Sequence, residues 1–228
     1  MKKSEQSIKL QEEDMRKEIN INECERKEHF EYYSWCATPH YCVAFNIDVT
    51  NLLQFTRKNN ISFYYSLIYL CTQSINEIDE FLLETENNKV YKIDRRVPCF
   101  TDLMKDATSF HMVSLACEGD IIEYATKARE ESRRNPLSVY ALEGLRESQI
   151  IYSCIPWADI TMCSNERDYT DPNLKDDTAP ILVWGKYTEQ NGKYMINMTL
   201  DVNHRFIDGY FVGQFVQKLD EKIAELDN

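Results

Sequence analysis

The stretch "MINMTLDVN", residues 195–203, alternates strictly: Ile196, Met198, Leu200 and Val202 against Asn197, Thr199, Asp201 and Asn203. That two-residue period predicts a strand with one buried face. Just upstream, "EQNGK" places Asn191-Gly192 between two strand-like runs, which predicts a tight hairpin. His204 keeps the parity of the apolar set, so it points to the core side as the strand runs out. Asp208-Gly209 then turns the chain, and Phe211, Phe215, Leu219 and Ile223 recur at helical spacing. An inward imidazole thus stands at a strand-to-helix corner with a carboxylate four residues on.

The rest of the pattern is equally legible in outline. "YCVAFNIDVTNLLQFTRKNN" predicts a strand followed by a short helix that Asp48 or Thr50 caps. Residues 62–78, apolar nearly all round, predict a buried helix. Strands are expected in 88–103 and 107–118. An amphipathic helix follows from Asp120, ended by Asn135-Pro136, with a further helix expected over 137–148. Residues 149–163 and 179–202 are strand-rich around a polar loop at 165–178. Residues 26–34, "RKEHFEYYS", form a compact patch of basic, acidic and aromatic side chains. Helices in the middle, strands late and one closing helix predict an α/β protein with a mixed, largely antiparallel sheet.

Composition narrows the function classes. At 228 residues without internal repeat or linker, one domain is expected over 21–228, preceded by a charged, solvated arm at 1–20. A net charge of −12 argues against nucleic acid and against anionic membrane surfaces, both of which need clustered Lys and Arg. No apolar run is long enough to span a bilayer, and the two N-terminal lysines are not followed by the apolar segment of a signal peptide. The eight cysteines stand singly, several within apolar runs. Reduced, mostly buried thiols in the cytoplasm are therefore expected, with no structural metal. With six glycines in all, the chain has neither a GxGxxG fingerprint nor a phosphate-binding loop of the Walker type.

The candidate chemistry centres on His204, whose imidazole is suited to general-base work near neutral pH. A core histidine satisfied by a carbonyl is the structural alternative. Asp208 either orients that ring or pairs with an arginine elsewhere. Ser153, in "YSCIPW", is not surrounded by G-x-S-x-G, which argues against a hydrolase nucleophile and leaves it as an oxyanion donor. Cys154 beside it is expected to pack rather than react.

With these residues in view, the sequence resembles the classical trimeric chloramphenicol acetyltransferases, whose fold is shared by dihydrolipoamide acyltransferase cores. The family carries two adjacent histidines, three variable residues and Asp-Gly. Here that motif is "NHRFIDG", with Asn203 in place of the first histidine and His204 in place of the catalytic second. "ERKEHFEYY", "SFYYSLIYLC", "YSCIPW" and "APILVWGKY" match further blocks in order, from about Cys24 to the C-terminus. The resemblance implies a two-layer sandwich with helices on one face of the sheet.

It also implies acetyl transfer from acetyl-CoA, without a metal, to a small-molecule hydroxyl, chloramphenicol being the first candidate and antibiotic resistance the role. His204 would be the base and Ser153 the oxyanion donor. Asp208 paired with Arg26 would hold the His204 loop. Lys186 would lie near the coenzyme's 3′-phosphate, and Tyr32, Tyr33 and Tyr41 would wall the acceptor. The family forms a homotrimer with sites between subunits. Departures fall on the acceptor side, at Pro39, Cys163, Asn165, Arg167 and Val183, so acetyl transfer to a different alcohol or amine is the alternative. A lipoyl acyltransferase, a hydrolase and a trimer of the same fold that binds without catalysing complete the rivals.

Overall fold

The computed structural model describes residues 16–87, 89–138 and 148–227. Its main sheet has seven strands: β2 (His40–Asp48), β5 (Val97–Asp102), β6 (His111–Ser114), β7 (Gln149–Cys154), β8 (Ile181–Trp184), β9 (Thr188–Gln190) and β10 (Lys193–Asn203). The order is β2-β10-β8-β7-β5-β6, with β9 paired to β10. Neighbours β5, β7 and β8 run parallel and the other pairs antiparallel. A second, antiparallel sheet of order β1-β4-β3 is built from β1 (Arg16–Ile19), β3 (Leu83–Glu86) and β4 (Lys89–Ile93). Five helices complete the described residues: α1 (Lys27–Ser34), α2 (Thr50–Lys58), α3 (Phe63–Asn76), α4 (Ile121–Arg134) and α5 (Gly209–Ala224).

The long strand β10 is central because its alternation is the cleanest in the chain. Ile196, Met198, Leu200 and Val202 are buried against the helix layer, in one cluster with Ile47, Phe100, Ile150, Tyr152, Leu182 and Trp184. Helix α3 lies in the middle of that layer, touching α2, α4 and α5, which is why nine of its fourteen residues are buried. The hairpin turn falls where expected, with Asn191 and Gly192 both in the left-handed region at φ 54° and 80°, as a two-residue hairpin of the primed type requires.

Several boundaries differ from the sequence expectation. The 26–34 patch is largely a helix, α1, whose apolar content is too low to show a periodicity. Asp48 serves α2 from one residue before the cap, accepting from the Thr50 amide at 3.0 Å and its hydroxyl at 2.6 Å, while Val49 holds the cap position. Helix α4 starts on an Asp120–Glu123 capping box and ends at Asn135 as expected. The strand expected over 149–163 stops at Cys154, and the rest runs as loop. Within the expected arm, Arg16–Ile19 form β1 on the β4 edge; residues 1–15 and most of the helix expected at 137–148 lie outside the described residues. The stretch expected as strand over 88–103 divides into β4 and β5, while β3 and its hairpin with β4 are not marked in the sequence, where "LLETE" shows little alternation.

Candidate active site

His204 follows β10 directly, and its backbone N–H donates to the Pro39 carbonyl at 2.6 Å. Its ring is clamped between two tyrosines, Tyr33 at 3.9 Å and near-parallel, and Tyr41 at 4.2 Å between centroids. Tyr33 comes from α1 and Tyr41 from β2, so three elements fix one ring plane. Tyr32 meets Tyr33 edge-on but is largely exposed. Burial lowers the His204 pKa below 6.5; Asp208 opposes that, and Arg26 and His29 add to it. The imidazole is therefore neutral at pH 7, the form that accepts a proton.

Asp208 and Arg26 meet at 2.6 Å across 182 residues of sequence. Asp208 is the N-cap of α5, its carboxylate accepting from the Tyr210 amide at 2.9 Å, and Arg26 is the N-cap residue of α1. Burial raises the Asp208 pKa, but the hydrogen bond and charge of Arg26, with the Tyr210 and Phe211 amides, outweigh it and hold the carboxyl below 3.8. The pair thus ties the helix after His204 to the helix that supplies Tyr33.

Ser153 lies elsewhere. It opens on a cleft of about 610 Å³ beyond the carboxyl ends of the parallel strands β5, β7 and β8 and beside the N-terminus of α3, the end of a parallel sheet where ligands usually bind. Thr101 and Ser153 hydroxyls stand 3.2 Å apart. Lys186 also lines the cleft, with Tyr64, Phe110, Trp157 and Tyr187 among the aromatic walls. Gly185 before it is needed for space: a Cβ there would sit 2.7 Å from the Ala158 carbonyl oxygen and 2.8 Å from the Ile160 side chain. Thr101 escaped sequence reasoning because 52 residues separate it from Ser153 and only the β5–β7 pairing unites them.

One chain does not bring the two candidate catalytic groups together. Ser153 pairs with Val183 and Val183 with Thr199, while His204 lies five residues further along β10. At about 3.4 Å per residue and about 4.8 Å per strand spacing, roughly 20 Å separates them. His204, Arg26, Asp208, Tyr33 and Tyr41 form one cluster; Ser153, Thr101 and Lys186 line another region at the opposite end of the sheet.

A sequence model of the family described as "Chloramphenicol acetyltransferase" matches residues 15–220, nine-tenths of the chain. The chain belongs to the chloramphenicol acetyltransferase family. Among similar curated relatives, "Chloramphenicol acetyltransferase 3" of Escherichia coli is 24% identical over 198 residues, spanning 86% of this chain and 91% of its own length. A chloramphenicol acetyltransferase of Campylobacter coli is 27% identical over 209 residues, 89% and 96% of the two chains. A solved chloramphenicol acetyltransferase superposes with a TM-score of 0.83 at 19% identity, over 92% of this chain and all of that one. Dihydrolipoamide acyltransferase cores share the fold more distantly, the probable Listeria monocytogenes enzyme at a TM-score of 0.61. Family membership makes the protein an acetyltransferase, in a family that uses acetyl-CoA as co-substrate.

The departures from the acetyltransferase pattern find structural roles. Asn203 is buried and bridges, its amide donating to the Lys175 and Asp177 carbonyls at 3.0 Å and its oxygen accepting from Arg205 at 3.2 Å. Arg167 is buried and ion-paired with Asp177 and, at 2.8 Å, with Asp201, so it meets the anions a buried guanidinium requires. Cys163 uses its amide on the Thr199 hydroxyl. None of these three, nor Asn165, lines the Ser153 cleft. Val183 is buried between Ser153 and Thr199 in register, and the hydroxyl that does flank Ser153 belongs to Thr101. Among the described residues no helix is long and apolar enough to cross a membrane.

Proposed function

We propose that the protein is an acetyl-CoA-dependent O-acetyltransferase working as a homotrimer in the cytoplasm, with each site assembled from two copies. The observation that carries this reading is a separation: an imidazole clamped by Tyr33 and Tyr41 at one end of the sheet, and a serine hydroxyl in a large cleft at the other. A ring of copies joined head to tail unites them without leaving an unpaired half.

In such a site Nε2 or Nδ1 of His204 takes the proton from the acceptor hydroxyl as its oxygen attacks the thioester carbonyl of acetyl-CoA. The new C–O bond forms while the carbonyl oxygen becomes an oxyanion, and Ser153 of the second copy donates to it. Collapse breaks the C–S bond, and the thiolate of coenzyme A leaves and takes up the proton held by His204. The Arg26–Asp208 pair positions the base without touching the reacting atoms. Lys186, exposed and lining the cleft, serves in this reading as a point cation for a phosphate of the coenzyme. Tyr33 and Tyr41, with the more exposed Tyr32, wall the acceptor beside His204. The eight cysteines are free, in keeping with a reducing compartment.

Chloramphenicol is the first acceptor to try, with resistance as the corresponding role. Thiol release from acetyl-CoA by the purified protein, with and without chloramphenicol and with His204→Ala as blank, tests the reading. Release needing both chloramphenicol and His204 supports it, and retained transfer above a few per cent in His204→Ala would remove His204 as the base.

A further inference from the structure

The three parallel strands that end on the cleft set its groups in a lateral order. Lys186 follows β8, Ser153 is the penultimate residue of β7 and Asp102 ends β5. In strand order Ser153 lies between Lys186 and Asp102, and all three line the cleft; the Asp102 side chain shares the helix-layer face with Phe100, whereas the Ser153 hydroxyl meets Thr101 on the other face. Asp102 Oδ2 accepts from the Tyr65 hydroxyl at 2.5 Å and the Ser132 hydroxyl at 2.6 Å, and Oδ1 accepts from the Leu103 amide at 2.7 Å. A carboxylate offers about four acceptor directions, so Oδ1 keeps one unfilled. Among the described residues, no Lys, Arg or His forms an ion pair with it. His111, directly opposite across the β5–β6 pair, uses its Nε2 on Ser132 instead. All three donors are neutral, and the Arg129 guanidinium acts on the adjacent Tyr65 hydroxyl through space only, so among the described residues no ion pair holds this half-buried carboxylate in the cleft wall.

We propose that Asp102 is a specificity-determining residue that recruits a protonated amine of the acceptor. This inference rests on acetyl transfer across Ser153. With the coenzyme's phosphates on the Lys186 side and its thioester at Ser153, the space on the Asp102 side is left for the acceptor. A cation there meets a carboxylate that no ion pair holds, in a cleft also lined by the rings of Tyr65 and Phe110. The acceptor class is an aromatic amino alcohol rather than a neutral amide.

Chloramphenicol and its free-amine form, which lacks the dichloroacetyl group, make a matched pair with the same ring and hydroxyls. Their kcat/KM ratio is measured by thiol release for the wild type, Asp102→Asn and Tyr65→Phe. The expected wild-type ratio favours the amine at least tenfold, about 1.4 kcal/mol; Asp102→Asn removes that preference, and Tyr65→Phe, which takes one hydrogen bond and leaves the charge, retains it. A wild-type preference for the amide, or equal losses for both compounds in Asp102→Asn, overturns the inference. If neither compound gives thiol release, the acetyl-transfer reading fails for this pair. Calorimetric binding of the free amine without acetyl-CoA then decides the role of Asp102 alone. Binding weakened at least tenfold by Asp102→Asn supports it; binding equal in both proteins, or absent from the wild type, overturns it.

Discussion

If each site takes His204 from one copy and Ser153 from another, two inactive proteins should repair one another. His204→Ala destroys one half-site and leaves the other intact, and Ser153→Ala does the reverse. The structure gives the argument its size: the two residues are roughly 20 Å apart within a chain, several times the reach of a hydrogen-bonded transition state, so no local rearrangement of one copy brings them together. Removing one oxyanion donor costs about 10²–10³-fold in kcat and removing a general base about 10²–10⁴-fold, so each variant alone has a background near or below about one per cent. In a cyclic oligomer refolded from an equal mixture, a site is whole when its His donor is the serine variant and its Ser donor the histidine variant. Random assembly makes that true of about a quarter of sites. The assay is thiol release by the co-refolded mixture against the two proteins mixed without unfolding. Recovery near a quarter of wild-type turnover is expected after co-refolding and none after simple mixing. Background activity after co-refolding, with the oligomer formed normally, would refute the shared site.

Further outcomes follow from the same geometry. Arg26→Val should remove a charge-assisted tie of about 2 kcal/mol, lowering Tm by about 4–8 °C at fixed protein concentration. Because the Asp208 pKa is depressed in the fold, that stabilisation is present above pH 3.8 and lost as pH falls through the lower folded value. The Tm gap between wild type and variant should therefore close under strong acid, and a gap that persists there would contradict the pairing. The lowered His204 pKa predicts a kcat/KM that is flat at neutral pH and falls only below pH 6.5; an acid limb centred above 6.5 would count against His204 as the base. Arg167→Met should strand the buried Asp201 carboxylate and cost about 3–5 kcal/mol in urea unfolding. Gly185→Ala, forced against the Ala158 carbonyl, should cost about 1–3 kcal/mol and raise the KM for acetyl-CoA more than it lowers kcat, through displacement of Lys186.

Periodicity alone determined the central strand, its hairpin, the buried helix α3 and the closing helix, because each rests on side-chain alternation or turn chemistry within a dozen residues. The same local logic marked His204 and Asp208 at a strand-to-helix corner. The pairing of Asp208 with Arg26 came from the family resemblance, since nothing local links residues 182 apart. Helix α1 and strand β3 were invisible to periodicity because few apolar residues mark them, while β4 lies within the stretch expected as strand over 88–103; the places of α1 and β3 are set by what packs on them. Only the tertiary structure decided that Tyr33 and Tyr41 sandwich the imidazole, that Thr101 flanks Ser153, and that Arg167 is absorbed by two aspartates. Each of these depends on strand order and register, which fix distances between residues far apart in sequence. Register also sets His204 and Ser153 at opposite ends of one sheet, a separation no motif spacing encodes.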